Sequence, residues 1–235
     1  MDATSFPDAG SAQTHTVFNQ VPDLAHYNLF ESDPGLRAAL DRLGGAWHAD
    51  TLAAFGARLG DPEVQAWAAD ANRFIPELHT HSRTGERIDQ VEFHPSWHNL
   101  LTLLRSQQLQ ALPFAQPRPG VWAARTVGYF LQAQVESGSL CPTTMTLASI
   151  PVLRKEPALF RDLEPRLYAT EHDARDLLWR DKTAVMIGMG MTEKQGGSDV
   201  RANTTVALPV RGDGRGAEYA LTGHKWFFSA PMCDA

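Results

Sequence analysis

Cysteine is scarce. Only Cys141 and Cys233 occur in 235 residues, too far apart to form a metal-ligand spacing. Such usage suits a reducing compartment and neither requires nor forbids a disulfide. Long hydrophobic runs are missing too, since none reaches the roughly 18 residues that a membrane span needs. The N-terminus has no charged stretch followed by an apolar core, so no secretory leader is expected. The expectation is a cytoplasmic protein with no membrane partner. Positive charge is in deficit: 21 Lys and Arg stand against 27 Asp and Glu, a formal net charge of -6. The arginines are scattered from Arg37 to Arg215, so this stretch lacks the basic footprint of a nucleic-acid binder. What remains is ordinary globular material. An apolar content of 43% allows one large domain or two modest ones around a sizeable core.

Met1 to Gln13 is small and polar and is expected to fray. Thr14 to Asn28 carries Val17, Phe18, Val21 and Leu24 without helical spacing and reads as an extended arm. Ser32-Asp33-Pro34 is a helix start, with a capping side chain before Pro, and Gly44-Gly45 is its stop. Further helices are expected over Trp47 to Leu59, from Asp61-Pro62-Glu63 onward, and from His94-Pro95 to about Gln108. Two more cover Val121 to Ser137 and Cys141-Pro142 to Leu153, with two shorter pieces between Pro157 and Trp179. Ile75 to Val91 reads as a loop or hairpin, and Pro113 to Gly120 as a connector. Beyond Lys182 the pattern changes. Ala184 to Met191, Arg201 to Leu208, Glu218 to Thr222 and Lys225 to Ser229 look like strands, with RGDGRG (Arg211 to Gly216) as a turn. The fold class is mainly α: a helical domain over 1–181, then the first strands of an incomplete β domain over 182–235.

The stretch Ile187 to Val200, IGMGMTEKQGGSDV, carries the most chemistry. A buried-looking apolar run leads into Thr192-Glu193, then paired glycines and Ser198-Asp199. The glycines permit a tight turn and close approach to backbone N–H groups. Thr192 and Ser198 place hydroxyls on either side of it. A dinucleotide-binding pattern needs a third glycine where Glu193 stands, and a P-loop needs Lys then Ser or Thr after Gly197. Neither fits. Local pattern alone leaves an ordinary β-turn and a ligand-binding turn both open.

Other candidates have plainer readings beside them. His94 and His98 share a helical spacing, but Pro95 stands where a zinc-protease motif needs Glu, so packing or capping is favoured. Cys141 at a helix start is either an activated thiol or a small buried residue, and the second is preferred because no base is nearby. Glu193 and Asp199 are acid–base candidates, although Asp in such a turn more often caps backbone N–H groups. GHKWFFS (Gly223 to Ser229) reads as an aromatic strand, with Trp226 and Phe228 on one face and Phe227 and Ser229 on the other. It offers either a flat face for a heteroaromatic ring or a sheet core.

Taken together, the Thr-Glu-x-x-Gly-Gly-Ser-Asp turn and the later Gly-x-Lys-aromatic stretch ending in Ser resemble the flavin-binding core of acyl-CoA dehydrogenases. THTVFNQ, AQVESGSLCPTTMT (133–146), and Lys194-Gln195 within GMGMTEKQGGSDV resemble the AidB-like branch, the adaptive-response proteins linked to alkylation damage. The similarity runs from Thr14 to the end of the chain. It implies a helical domain, a β-barrel and a C-terminal helical bundle, with FAD between barrel and bundle. By motif position, Thr192 would meet the pyrimidine side of the flavin ring. Ser198 and the N–H groups around Gly197 would meet the pyrophosphate, and Ser229 the reactive N5 edge. Phe227 stands where many relatives place Trp, and Met191 and Phe228 complete the cofactor-binding set. Cys141, Thr144 and Met145 fall in the region near the acyl pocket.

The implied reaction removes an α-proton from an acyl-CoA with a Glu while a β-hydride passes to FAD. That Glu lies downstream in relatives, so no catalytic residue is expected within these 235 residues. The chain reads as the N-terminal portion of such a protein, with the bundle, its DNA-contacting surface and much of a homotetramer interface absent. Two further readings are a DNA-associated protective flavoprotein with marginal dehydrogenase activity and a short, non-catalytic helical interaction module.

Overall fold

The computed structural model describes residues 14–235; the polar segment expected to fray lies outside the described residues. Residues 14–24 have no regular structure and expose Phe18 and Val21 at 91% each, as an unpaired extended arm would. The chain then turns inward at Leu29 and Phe30, both buried.

Eight α-helices follow among the described residues: α1 (Pro34–Arg42), α2 (Ala49–Leu59), α3 (Pro62–Arg73), α4 (Pro95–Ser106), α5 (Leu112–Ala115), α6 (Val121–Ala133), α7 (Leu140–Leu153) and α8 (Pro157–Leu167). Their starts have local causes. Asp33 accepts the Leu36 N–H at 2.8 Å and Asp61 the Glu63 N–H at 2.9 Å, each just ahead of a Pro in the first turn. His94 caps α4, its Nδ1 accepting the Ser96 N–H at 3.3 Å. Gly120, with φ 75°, precedes α6 where a Cβ would stand 2.0 Å from the Gly44 carbonyl oxygen, so the α1 and α6 ends cross only because that side chain is absent.

The core is aliphatic. Leu40, Leu52, Leu59, Leu100, Leu104 and Leu131 from α1, α2, α4 and α6 are almost fully buried in one cluster. Each stabilises the fold by about 1.5–3 kcal/mol in transfer terms. A second cluster joins Ile150, Leu163, Leu167 and Val185, which backs α7 and α8 onto the chain entering the β region. Arg105, 1% exposed, ties the same junction from α4. It donates to the carbonyls of Glu171 and Arg166 at 2.8 Å each, and of Val185 at 3.2 Å.

Two antiparallel hairpins complete the structure. β1 (Glu77–His81) pairs with β2 (Arg87–Glu92), which resolves the loop-or-hairpin ambiguity of that stretch. β3 (Val206–Arg211) pairs with β4 (Glu218–Thr222) around the glycine-rich turn and is largely exposed. Arg215 in that turn donates to the Lys155 carbonyl and pairs with Glu156 at 3.2 Å. No helix of the described residues is long and apolar enough to cross a membrane.

Several sequence expectations need correction. The connector after Pro113 holds the short α5, and the second helical piece before Trp179 is absent apart from one 3-10 turn, Trp179–Asp181. The strand expected from Arg201 begins only at Val206, after a 3-10 turn at Val200–Ala202 that Asp199 caps by accepting the Arg201 N–H. Ala184 to Met191 forms no strand beyond a single bridge at Met189. Its N–H groups find scattered partners: Val185 donates to Arg166, Met186 to Asp234 and Ile187 to the Thr146 hydroxyl. Lys225 to Ser229 likewise keeps only a bridge at Ser229. Phe227 (φ 56°) and Ala230 (φ 47°) are left-handed, so the expected alternation of faces fails there.

Candidate functional site

The two stretches that carried the chemistry in the sequence are held against each other. Met189 bridges Ser229, and the Trp226 N–H donates to the Thr192 carbonyl at 2.7 Å. Two groups converge on the Met191 carbonyl, Asn203 Nδ2 at 2.7 Å and Lys225 Nζ at 3.2 Å. The Lys194 N–H donates to His224 Nε2 at 3.3 Å. Gly190 lies under Phe228: a Cβ there would stand 2.2 Å from the ring.

The turn between these contacts is tight. Glu193 and Gly196 exchange backbone hydrogen bonds at 3.0 Å each way. Within it the Glu193 carboxylate is buried and saturated. It accepts from the Thr204 and Thr205 N–H groups at 2.7 and 3.0 Å, from Gln195 Nε2 at 2.6 Å, and from Lys225 Nζ at 3.0 Å. The Thr205 side chain, the Thr204 N–H and Lys225 hold this carboxyl well below the usual carboxylate range. A group so occupied is no general base. Asp199 serves as a cap, as such a residue usually does.

The remaining groups of the two stretches are largely accessible. Met191, Gly197 and Ser198 are exposed, as are Phe227 (78%) and Phe228 (49%), while Thr192 and Ser229 are half-buried. The hydrogen bonds of the described residues use none of the Thr192, Ser198 and Ser229 hydroxyls. Free hydroxyls, accessible turn N–H groups and bare aromatic rings suit a ligand with a flat heteroaromatic part and an anionic tail. The left-handed Phe227 and Ala230 bracket Ser229, a place where backbone strain often accompanies a site.

Cys141, Thr144 and Met145 occupy the first turns of α7. Cys141 is an exposed free thiol and not the small buried residue that the sequence favoured, Met145 is half-buried, and the Thr144 hydroxyl bonds the Tyr129 hydroxyl at 2.8 Å. The helix is joined to the stretch that leads into the glycine turn by the next residue, Thr146, whose hydroxyl accepts the Ile187 N–H at 3.0 Å. The buried Glu136, unremarked in the sequence, closes the α7 start by accepting the Gly138 and Ser139 N–H groups.

Beside this junction lies a cleft of about 360 Å³, bounded by Pro142, Met186, Ala230, Cys233, Trp97 and the His98–His172 pair. The two imidazoles meet at 3.1 Å, so His98 is paired there and not with His94. Burial and the neighbouring His98 push His172 down to about 3, and burial lowers His98. Burial and Asp234 push the Cys233 thiol up to about 12, which leaves it protonated. Lys182 and Asp234 form a pair at 2.5 Å beneath the cleft. Asn203, Thr146 and Asp234 were invisible as site residues in the sequence, and Lys225 stood there only as a member of the Gly-x-Lys-aromatic motif, because each acts through a long-range contact.

Comparison with known proteins adds a second line. The family model for the adaptive response protein AidB N-terminal domain matches residues 19–174. The Escherichia coli (strain K12) protein AidB, which carries the name of an acyl-CoA dehydrogenase, is 45% identical over 225 residues. That match covers 95% of this chain and 41% of the relative. Acyl-CoA dehydrogenase family member 11 of Caenorhabditis elegans is 29% identical, with 92% of this chain and 35% of the relative covered. The chain thus spans less than half the length of these relatives. Among solved structures, Caenorhabditis elegans ACDH-11 in complex with C11-CoA aligns with a TM-score of 0.70 at 22% identity, over 94% of this chain and 37% of that one. The apo form of Bd2924 aligns with a TM-score of 0.70 at 25% identity, over 88% and 41%.

Proposed function

The chain belongs to the AidB N-terminal domain family, and from that premise we propose that it forms one wall of an FAD site in an acyl-CoA dehydrogenase-type flavoprotein. The observation that carries this reading is the pairing of Thr192 with Trp226, which puts the glycine turn and the aromatic stretch into one unit. Bound FAD supplies the hydride-accepting chemistry. The residues of this chain hold and orient it: Thr192 at the pyrimidine side of the ring, Ser198 and the Gly197 N–H at the pyrophosphate, and Ser229 at the N5 edge. Met191, Phe227 and Phe228 cover the ring and exclude water from it.

The proposed substrate is an acyl-CoA, with Cys141, Thr144 and Met145 on the acyl side; the solved ACDH-11 complex with C11-CoA supports that class by fold alone. No residue of this chain is proposed as the base that takes the α-proton, because Glu193 is already saturated. The proposed division is a helical domain over 1–181 and the start of a β domain over 182–235. For DNA contact, which stays a proposal along with tetramer formation, the -6 net charge of this stretch is unfavourable.

The roles are tested by FAD titration of single variants. Thr192→Val and Ser198→Ala should each weaken FAD binding by roughly 5- to 20-fold, the worth of one or two hydrogen bonds, without loss of fold. Unchanged affinity in both would refute the assignment.

A further inference from the structure

We infer that Glu193 and Lys225 act together as a positioning clamp that sets the spacing between the two halves of the cofactor wall. This rests on the FAD reading for its purpose, but the clamp is a property of the chain itself. Lys225 is adjacent to Trp226, whose N–H holds Thr192, and its ammonium reaches both the Glu193 carboxylate (3.0 Å) and the Met191 carbonyl (3.2 Å). Glu193 is adjacent to Thr192 and anchors the return of the chain through the Thr204 and Thr205 N–H groups. The glycine turn, the residues leading into β3 and the aromatic stretch therefore converge on one carboxylate.

Shape and charge are both needed at that point. A carboxylate is acceptor-only, and here its two oxygens receive two backbone N–H groups, an amide and an ammonium. A glutamine of the same size has a single acceptor oxygen and turns an NH₂ toward donors. The Glu193 side chain is fully buried and that of Lys225 is 26% exposed, so either one left alone is a poorly solvated charge. Loosening the clamp frees the Met191 and Thr192 carbonyls and the Trp226 N–H, and with them the spacing from the Thr192 hydroxyl to that of Ser229.

The test uses the 235-residue chain with Glu193→Gln, Lys225→Met and the double variant. Hydrogen exchange of the chain without FAD is read first. The clamp predicts faster exchange of 192–198 and 224–229 together in each single variant, with the amides of α2, α4 and α6 unchanged. FAD affinity by visible absorption should fall on the order of tenfold in each, and the double variant should fall by less than the product of the two. Should Glu193→Gln fail to fold, Lys225→Met carries the same readouts. Unchanged exchange, or faster exchange in one segment alone, overturns the clamp. Faster exchange in both with unaltered FAD affinity overturns its positioning role. If the parent chain binds no FAD, this wall does not hold the cofactor by itself, and exchange alone decides whether the two segments are clamped.

Discussion

The Trp226 N–H donates to the Thr192 carbonyl across 2.7 Å, joining positions that the sequence separates by the whole β3–β4 hairpin. The hairpin returns the chain to its starting point. Its strands are largely exposed, whereas the residues flanking it make the contacts of the candidate site. The hairpin itself is a connection; the chemistry lies at its base.

Gly190 should be a restrictive backbone position of the site. Gly190→Ala brings a Cβ to about 2.2 Å from the Phe228 ring, and that half-exposed ring must swing away. The expected cost in fold stability is roughly 1–2 kcal/mol, since a movable side chain and not backbone is displaced. FAD affinity should fall further than stability does. Paired urea unfolding and flavin titration of this variant check the difference.

Asp234 neutralises Lys182, which is 6% exposed, and also accepts the Met186 N–H at 2.7 Å. Asp234→Ala strands a buried ammonium and should destabilise the fold by about 3–5 kcal/mol. Replacing both partners, Lys182→Met with Asp234→Ala, should recover part of that loss. Urea midpoints of the single and double variants give the comparison.

Acid should weaken the protein before its carboxylates titrate. His172 is pushed down to about 3, mainly by burial, and His98 and His48 are lowered for the same first reason. The folded state therefore binds fewer protons than the unfolded chain below the ordinary histidine value of 6.5. Stability is complete above that pH and falls as pH drops through it. At pH 5 His172 alone should remove about 2 kcal/mol. Glu193 and Asp173, both depressed, lose their contribution only at lower pH, below their unfolded values near 4. The slope of stability between pH 6.5 and 5 should thus shrink in His172→Gln, as urea unfolding at several pH values would show.

The helices were legible because their signals are local. Asp33-Pro34, Asp61-Pro62 and His94-Pro95 each supply a cap and a first-turn Pro within two residues, and the structure begins helices at all three. The family was read from the glycine turn and the aromatic stretch together with THTVFNQ and 133–146, and the family model matches residues 19–174. The strands around the site were not. Val, Ile and Met at 184–191 signal burial, which Val185 and Met186 obtain and the exposed Met191 does not, and the N–H groups of 185–187 go to Arg166, Asp234 and Thr146 from three distant segments. Periodicity reads side-chain burial and is silent on which acceptor each N–H meets. Arg105 makes the same point. A basic residue in the last turn of a helix reads as a solvated charge, yet it is buried and holds three carbonyls.

The central claim is that the paired stretches 187–200 and 224–229 form a wall that holds FAD. A visible absorption titration of the 235-residue chain with FAD, followed by gel filtration, tests it most directly. The account predicts saturable binding with shifted and sharpened flavin bands that stay with the protein peak, weakened in Ser198→Ala. A colourless protein peak, with all the flavin eluting free at every ratio, would contradict it.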